Sequence, residues 1–229
     1  TQLTHEGRVI WARFAPDGKS FFYIAPHEGY YAVKRAGISG EGTQDVVVSE
    51  EGTDFICLDP FPDGKHLALV AHRMGRVDLW VYDMETRAFT HLTDTTAQET
   101  TVDVAPNHKM LVFVSVWEGS REIFLATWDV EDPGELSSEN IELSQLTQDP
   151  FFDEVPRISP DGRWIAFESN RSGISEIWVM SVYGHDLFPF TLDRWRNSFP
   201  AWAPDMSKLA YGTRKDGEDS WTIQIEETY

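Results

Sequence analysis

The chain has 229 residues, of which 41% are hydrophobic and 25% charged, and this is enough for a β-rich domain with a sizeable core. Its formal net charge of −19 argues against nucleic acid as a partner and against binding to an anionic membrane surface. We interpret the charge mainly as a solubilising surface, with cations or a basic partner as alternatives. No apolar run of about 18 residues predicts membrane insertion. The single cysteine, Cys57, lies in an apolar run and is predicted to be an inert core residue.

Five units of short strands follow one another, and each is organised around a turn that contains a proline. The turn prolines occupy positions 16, 62, 106, 160 and 204, a period near 44 residues, which is typical of four-stranded propeller blades. In Pro160-Asp161-Gly162 the proline presets φ, the aspartate can bond to its own backbone, and the glycine tolerates a positive φ. The interval after position 106 is longer, and its polar residues 129–134 are predicted to form a surface loop between the third and fourth strands of that unit.

We therefore predict an all-β fold, a β-propeller of five four-stranded antiparallel blades that forms one domain over residues 1–229 with almost no helix. The fifth unit shows only three strands. The segment Thr1-Gln2-Leu3-Thr4 matches Thr90-His91-Leu92-Thr93 and Ser144-Gln145-Leu146-Thr147, which end the second and third units. Residues 1–4 are thus predicted to complete the last blade and close the ring, which leaves no unpaired strand edge inside it. The alternative is a five-unit piece of a larger propeller.

The repeat pattern is best developed over residues 156–180, which read Pro-Arg-Ile-Ser-Pro-Asp-Gly-Arg-Trp-Ile-Ala-Phe-Glu-Ser-Asn-Arg and end on Ile-Trp-Val-Met. This pattern resembles the TolB-type propeller repeat, and the resemblance covers all five units. Similar blades occur in periplasmic TolB, in propeller domains of serine peptidases and in oligogalacturonate-lyase-like proteins, so the resemblance implies a fold more than a function. It also implies a location in the periplasm or at the cell surface, with the cytoplasm as the alternative.

Three polar residues occupy the position seven residues before a turn proline in successive units: Glu99, Asp153 and Asn197. In a propeller this position lies near the mouth of the central channel, where loops from all blades converge. Their oxygens are weak candidate ligands for Ca²⁺ in the channel, and otherwise no cofactor is expected. The same position holds Val9 and Phe55 in the first two units, so we favour the alternative that these polar groups are solvated loop residues.

Other residues predicted on this loop face are candidates for contact with a partner. His27 and His72 head equivalent loops between second and third strands, although no close spacing supports a metal site. Phe152 and Trp195 are expected to be exposed, beside Glu154. Asp153 and Glu154 should point to opposite sides of a strand and therefore do not form a catalytic pair by themselves.

The sequence contains no Gly-x-Ser-x-Gly elbow, no His-Glu-x-x-His pair and no glycine-rich phosphate loop, so no catalytic residues are assigned. The leading hypothesis is a non-enzymatic scaffold that binds a protein or peptide through its loop face. One alternative is a carbohydrate-active or metal-dependent enzyme like the propeller lyases, in which the ligand would be a carbohydrate. Another is the propeller portion of a larger peptidase.

Overall fold

The computed structural model describes residues 7–106, 109–117 and 119–228. They form five antiparallel sheets, the blades of an all-β, five-bladed propeller, so the predicted fold class is confirmed. The predicted closing strand at residues 1–4 lies outside the described residues, as does the centre of the third turn at 107–108. The chain forms two compact units, residues 1–104 with 128–141 and residues 105–127 with 142–229.

The first unit contains two complete sheets and the innermost strand of a third. Blade 1 comprises β1 (Trp11–Phe14), β2 (Ser20–His27), β3 (Tyr30–Gly37) and β4 (Gln44–Val48). Blade 2 comprises β5 (Asp54–Pro60), β6 (His66–Arg73), β7 (Arg76–Asp83) and β8 (Phe89–His91). β9 (Gln98–Val104) follows. In both complete sheets each strand pairs with the next in sequence, as the repeat pattern predicted.

The second unit contains most of the remaining strands. Blade 3 continues with β10 (Met110–Trp117), β11 (Ser120–Trp128) and β12 (Ile141–Gln145). Blade 4 comprises β13 (Asp153–Ile158), β14 (Trp164–Ser169), β15 (Glu176–Ser181) and β16 (Phe188–Pro189). Blade 5 has three described strands, β17 (Arg196–Trp202), β18 (Lys208–Arg214) and β19 (Thr222–Glu227).

Hydrogen bonds within the turn explain why the first strand of a blade ends and the second begins where they do. In blade 1 the Asp17 carboxylate accepts hydrogen bonds from the backbone N–H groups of Lys19 (2.8 Å) and Ser20 (3.1 Å). Gly18 adopts a φ of +62°, in the left-handed region that glycine enters without steric cost. The same aspartate position in blade 2 binds the corresponding N–H groups of Lys65 and His66. These two turns therefore fix the register of the strand pairs that follow them.

Apolar side chains between neighbouring sheets hold each unit together. In the first unit, Phe22, Ile24, Phe55, Leu58 and Leu69 are fully or almost fully buried in one cluster. In the second unit a separate cluster unites blades 3 and 4. Each fully buried leucine or phenylalanine contributes roughly 1.5–3 kcal/mol of transfer free energy. Cys57 is fully buried, as its apolar context predicted.

The long connection in the third repeat has more structure than the predicted surface loop. It contains a short 3-10 turn, Pro133–Glu135, capped by the side chain of Asp132, and the following Leu136 is buried. This turn is the only helical element in the described ranges, where no helix is long and apolar enough to cross a bilayer.

Candidate functional site

The segment that leads into blade 4 lies against two loops of the same end of the second unit. Phe152 forms a bridge with Arg121, at the start of β11, and its backbone N–H donates to the Asn170 side chain (2.9 Å). Asn170 follows β14 directly. Entry segments and the loops between second and third strands therefore meet at one end of the blade, as expected for a propeller.

Asp153 and Arg171 form the buried centre of this site. The Asp153 side chain is fully buried, and both of its oxygens accept hydrogen bonds from Arg171 Nη2, at 2.9 and 2.8 Å. Asp149 adds a second carboxylate at 3.2 Å from the same nitrogen. Burial raises the pKa of Asp153, and this effect outweighs the opposing influence of Ser169 and Arg171. The guanidinium thus compensates a carboxylate that has no access to water.

The neighbouring side chains face outward and are available for contact. Phe152 is 45% exposed, and the Arg121 guanidinium lies 5.3 Å from its ring centroid. Arg121 also forms a charge-assisted hydrogen bond with Glu154. Burial raises the pKa of Glu168, and Ser175 donates a hydrogen bond to it. Asp153 is buried and contacts Arg171, whereas Glu154 is half-buried and contacts Arg121, as expected for neighbouring residues of a strand.

A bulge in the innermost strand helps to place these residues. The pairing of β13 with β14 shifts between Glu154 and Arg157, and Val155 has a φ of +50°. β17 has the same irregularity between Ser198 and Ala201, with Phe199 at a φ of +58°. Residues other than glycine pay a steric cost in this region, and bulges re-aim the side chains beside them.

In blade 5, Asn197 occupies the repeat position equivalent to Asp153. Its side chain is an uncharged amide rather than a carboxylate. Its amide donates to Glu176 (2.7 Å) and to Asp193 (2.9 Å). Glu176 also accepts hydrogen bonds from the Thr191 hydroxyl and from the Arg194 backbone N–H. The buried Glu176 carboxylate is therefore surrounded by donors, which is the condition for burying a charge at low cost.

The equivalent pair in the first unit consists of two acids, Asp78 and Glu99, both buried. Asp78 Oδ2 is 2.8 Å from His91 Nε2, but its other oxygen has no hydrogen-bond partner in the described structure. Glu99 Oε1 accepts a weak bond from Thr95 (3.3 Å), and its Oε2 is likewise unpartnered among the described residues. Burial, and next the negative charge of Asp78, raise the pKa of Glu99 to about 7. Glu99 therefore changes its charge near neutral pH.

The threonine that ends a repeat connects its last strand to this network. In blade 4 the Thr191 hydroxyl accepts a hydrogen bond from the Ile177 backbone N–H (2.9 Å) and donates to Glu176. Thr147 binds Ile123 and Glu122 in the same way. The threonine of the recurring Leu-Thr pair thus anchors the third strand of its blade through these hydrogen bonds.

Replacing Thr191 by valine should lower the free energy of unfolding by about 1–3 kcal/mol, because the buried Ile177 N–H loses the hydroxyl that accepts from it and Glu176 Oε2 loses one of its two donors. Urea denaturation monitored by tryptophan fluorescence measures the loss. Thr191→Ser is the matched control, since it retains the hydroxyl and should lose less than half as much. A loss in Thr191→Ser that exceeds the loss in Thr191→Val would show that the methyl group, rather than the hydroxyl, stabilises the strand.

Of the remaining predicted contact residues, Trp195 touches the blade 5 network through its backbone N–H, which donates to Asp193 (2.9 Å). Trp195 is half-buried rather than fully exposed, because the Lys215 ammonium lies 4.2 Å from its ring centroid. His27 is 3.4 Å from an Asp45 oxygen, and His72 pairs with Asp54 across β5 and β6. Among the described histidines, cysteines and acids, neither histidine belongs to a group close enough to hold a metal ion.

One expectation about Glu99, Asp153 and Asn197 is wrong: they are fully buried rather than solvated loop residues. Each has its own set of contacts, and the Ca²⁺ expectation remains untested. The sequence-based prediction did not include Asp78, Glu176 or Arg171. An alignment of the repeats could have found the first two, because Asp78, Glu122 and Glu176 share one repeat position.

The sheets and their topology define the class of the protein as a five-bladed β-propeller, and the comparisons with known proteins agree with this. No protein-family model matches the chain. An uncharacterised protein of Agrobacterium fabrum is 34% identical over 68 residues, and this match covers 30% of the chain and 23% of the relative. The chain thus matches less than a quarter of the length of that curated relative.

Solved structures with the same fold include two TolB proteins. A putative TolB from Agrobacterium tumefaciens has a TM-score of 0.74 at 19% identity, over 96% of this chain and 77% of that one. TolB from Acinetobacter baumannii has a TM-score of 0.75 at 19% identity, over 96% and 52%. An oligogalacturonate lyase from Vibrio parahaemolyticus has a TM-score of 0.63 at 17% identity, over 98% and 67%. At these identities the likeness shows a TolB-like propeller fold alone.

Proposed function

We propose that this chain is a TolB-like scaffold that binds a protein or peptide partner through the loop end of its blades. The observation that carries the proposal is the surface at the entry to blade 4. There an exposed aromatic ring, Phe152, lies beside a cation, Arg121, and an acid, Glu154. Aromatic residues and arginine are the side chains most enriched among residues that dominate protein interfaces.

The arrangement below this surface favours recognition over catalysis. The buried acids Asp153 and Glu176 are engaged by Arg171 and Asn197 respectively. They hold the outer residues in place and do not present a free nucleophile or base to a substrate. The TolB-type resemblance supports a location of the proposed interaction in the periplasm or at the cell surface.

Replacing Phe152 by alanine should weaken partner binding about tenfold or more, the usual effect of removing a central aromatic residue from an interface. A photo-crosslinking residue at position 152, used in the source cell, first identifies the partner by mass spectrometry. Surface plasmon resonance then compares purified variants with that partner.

The matched control is Tyr183→Ala. Tyr183 is 77% exposed and follows β15, at the end of blade 4 opposite to Phe152. It should leave the affinity unchanged. If Phe152→Ala binds as tightly as the parent chain, or if both variants weaken binding equally, the proposed surface is wrong. A rise in melting temperature with oligogalacturonate, abolished by Phe152→Ala, would favour a carbohydrate ligand in place of a protein.

A further inference from the structure

A buried histidine lies among three aspartates at the turn end of blade 2, in the first unit. The side chain of His66, the first residue of β6, is only 6% exposed. Asp63 belongs to the preceding turn, Asp83 ends β7, and Asp132 comes from the long connection of the third repeat. The corresponding residue in blades 1, 4 and 5 is Ser20, Trp164 or Lys208, so the blade itself does not require an imidazole here.

Asp63 fixes the orientation and the tautomer of the imidazole. One of its oxygens accepts hydrogen bonds from the Lys65 and His66 backbone N–H groups, and the other lies 2.6 Å from His66 Nδ1. Because a carboxylate can only accept, Nδ1 carries the proton and donates a hydrogen bond to Asp63. The lone pair of the imidazole is then on Nε2. Metal-binding histidines are held by a carboxylate in this way, which raises the basicity of the ligating nitrogen.

The lone pair of Nε2 faces two further carboxylates. Asp132 Oδ1 lies 3.8 Å from Nε2, and Asp83 Oδ2 lies 3.9 Å from it. Both separations exceed the length of a hydrogen bond. A cation with bonds of about 2.0–2.2 Å brings such ligand atoms to about 3.4 Å from one another. The separations of 3.8 and 3.9 Å between Nε2 and the two carboxylates exceed this value only slightly, so a small adjustment suffices.

The long connection keeps the space beside Nε2 open. Asp132 caps the 3-10 turn by accepting a hydrogen bond from the Gly134 N–H (2.9 Å). A Cβ atom at position 134 would lie 3.0 Å from His66 Nε2 and 3.2 Å from Asp132 Oδ1. The glycine therefore leaves room between the two ligand atoms that any other side chain would fill.

We propose that His66, Asp83 and Asp132 bind a divalent transition-metal ion of the Zn²⁺ type, with Asp63 orienting the histidine. One imidazole and two carboxylates suit zinc, whereas Ca²⁺ and Mg²⁺ prefer oxygen ligands alone. The ion would fasten the long connection to blade 2. The proposal is independent of the partner-binding surface at blade 4.

Isothermal titration calorimetry with Zn²⁺ on the full chain tests the site. The parent chain should bind one equivalent, and Asp132→Asn and Gly134→Ala should each weaken binding at least tenfold. Asparagine retains the capping oxygen, and Gly134 does not have a positive φ, so both variants should fold. Glu135→Gln removes one exposed charge from the same turn and should leave the affinity unchanged.

A second measurement reports on the imidazole itself. In ¹⁵N-histidine spectra, Zn²⁺ should shift the Nε2 resonance of His66 while Nδ1 stays protonated. The proposal is overturned if Zn²⁺ does not bind, if Asp132→Asn binds as the parent chain does, or if Glu135→Gln loses as much affinity as Asp132→Asn. Competition by equimolar Mg²⁺ or Ca²⁺ would also overturn the assignment to a transition metal.

Discussion

Replacing Glu99 by glutamine should raise the free energy of unfolding at pH 8 by up to about 3 kcal/mol. The pKa of Glu99 rises from 4.5 to about 7 because the carboxyl is buried beside Asp78. Each unit of such a shift corresponds to about 1.4 kcal/mol of stability. Glutamine cannot ionise, and it introduces amide donors at the position where Asn197 donates to Glu176 in blade 5.

The pH dependence gives this prediction a definite sign. The folded-state pKa of Glu99 is higher than its unfolded value, so the unfolded chain releases the proton first as the pH rises. The parent chain therefore loses stability between about pH 4.5 and 7, and the loss is complete above the folded pKa. Below pH 4.5 both states are protonated and this contribution vanishes.

Urea denaturation at pH 5, 7 and 8.5 measures the difference between the variant and the parent chain. The advantage of Glu99→Gln should be smallest at pH 5 and largest at pH 8.5. Glu51→Gln makes the same chemical change at an exposed site of the same unit and should give a difference that hardly varies with pH. A pH-independent difference for Glu99→Gln would show that Glu99 does not titrate near neutrality.

Replacing Arg171 by methionine should lower the free energy of unfolding by about 3–5 kcal/mol, the usual cost of leaving one member of a buried ion pair without its partner. Methionine retains apolar contact with Phe167 and Trp178, whose rings lie within 5.4 Å of the guanidinium carbon. The loss therefore reports mainly on the Asp153 carboxylate, which is fully buried.

Two comparisons separate charge from packing in the Arg171 experiment. The double variant Arg171→Met, Asp153→Asn should recover most of the loss, because the uncompensated charge is gone. Arg163→Met removes an arginine whose side chain is 80% exposed and should change stability by less than about 0.5 kcal/mol. If the double variant is no more stable than Arg171→Met, the ion pair is not the source of the effect.

The loss in Arg171→Met should also depend on pH. Burial already raises the pKa of Asp153, and removal of the guanidinium raises it further. A carboxyl whose pKa is higher in the folded state destabilises that state as the pH rises through the folded value. The deficit of the variant should therefore be smallest in acid and grow towards neutral pH in the same urea experiments.

The repeats predicted which positions the site residues occupy in the blades. They did not predict which residues surround those side chains. The spacing before the turn prolines placed Glu99, Asp153 and Asn197 at equivalent positions, and the structure keeps that equivalence. Their partners are side chains up to 21 residues away, and the strands of Asp153 and Asn197 also contain bulges. A single sequence specifies neither, because a bulge changes the direction of a side chain without altering the apolar pattern.

The proposed metal site likewise depends on a contact that only the tertiary structure reveals. The sequence contained the Pro62-Asp63-Gly64 turn and a polar insertion, and it gave no indication that they meet. His66 and Asp132 are 66 positions apart, yet their side chains approach to 3.8 Å. Contacts of this kind arise from the path of a loop over a folded sheet, which local propensity does not encode.

The sequence by itself determined the class of fold, because strand alternation, turn residues and a period near 44 residues are local and repeated signals. It also indicated which end of the blades carries the variable loops. Only the tertiary structure decided which acids are buried, which of them have a compensating partner, and which ring remains exposed. The physical reason is that burial and pairing free energies depend on distances between residues remote in sequence, and Asp78 with Glu99, or Asp153 with Arg171, acquire those distances only on folding.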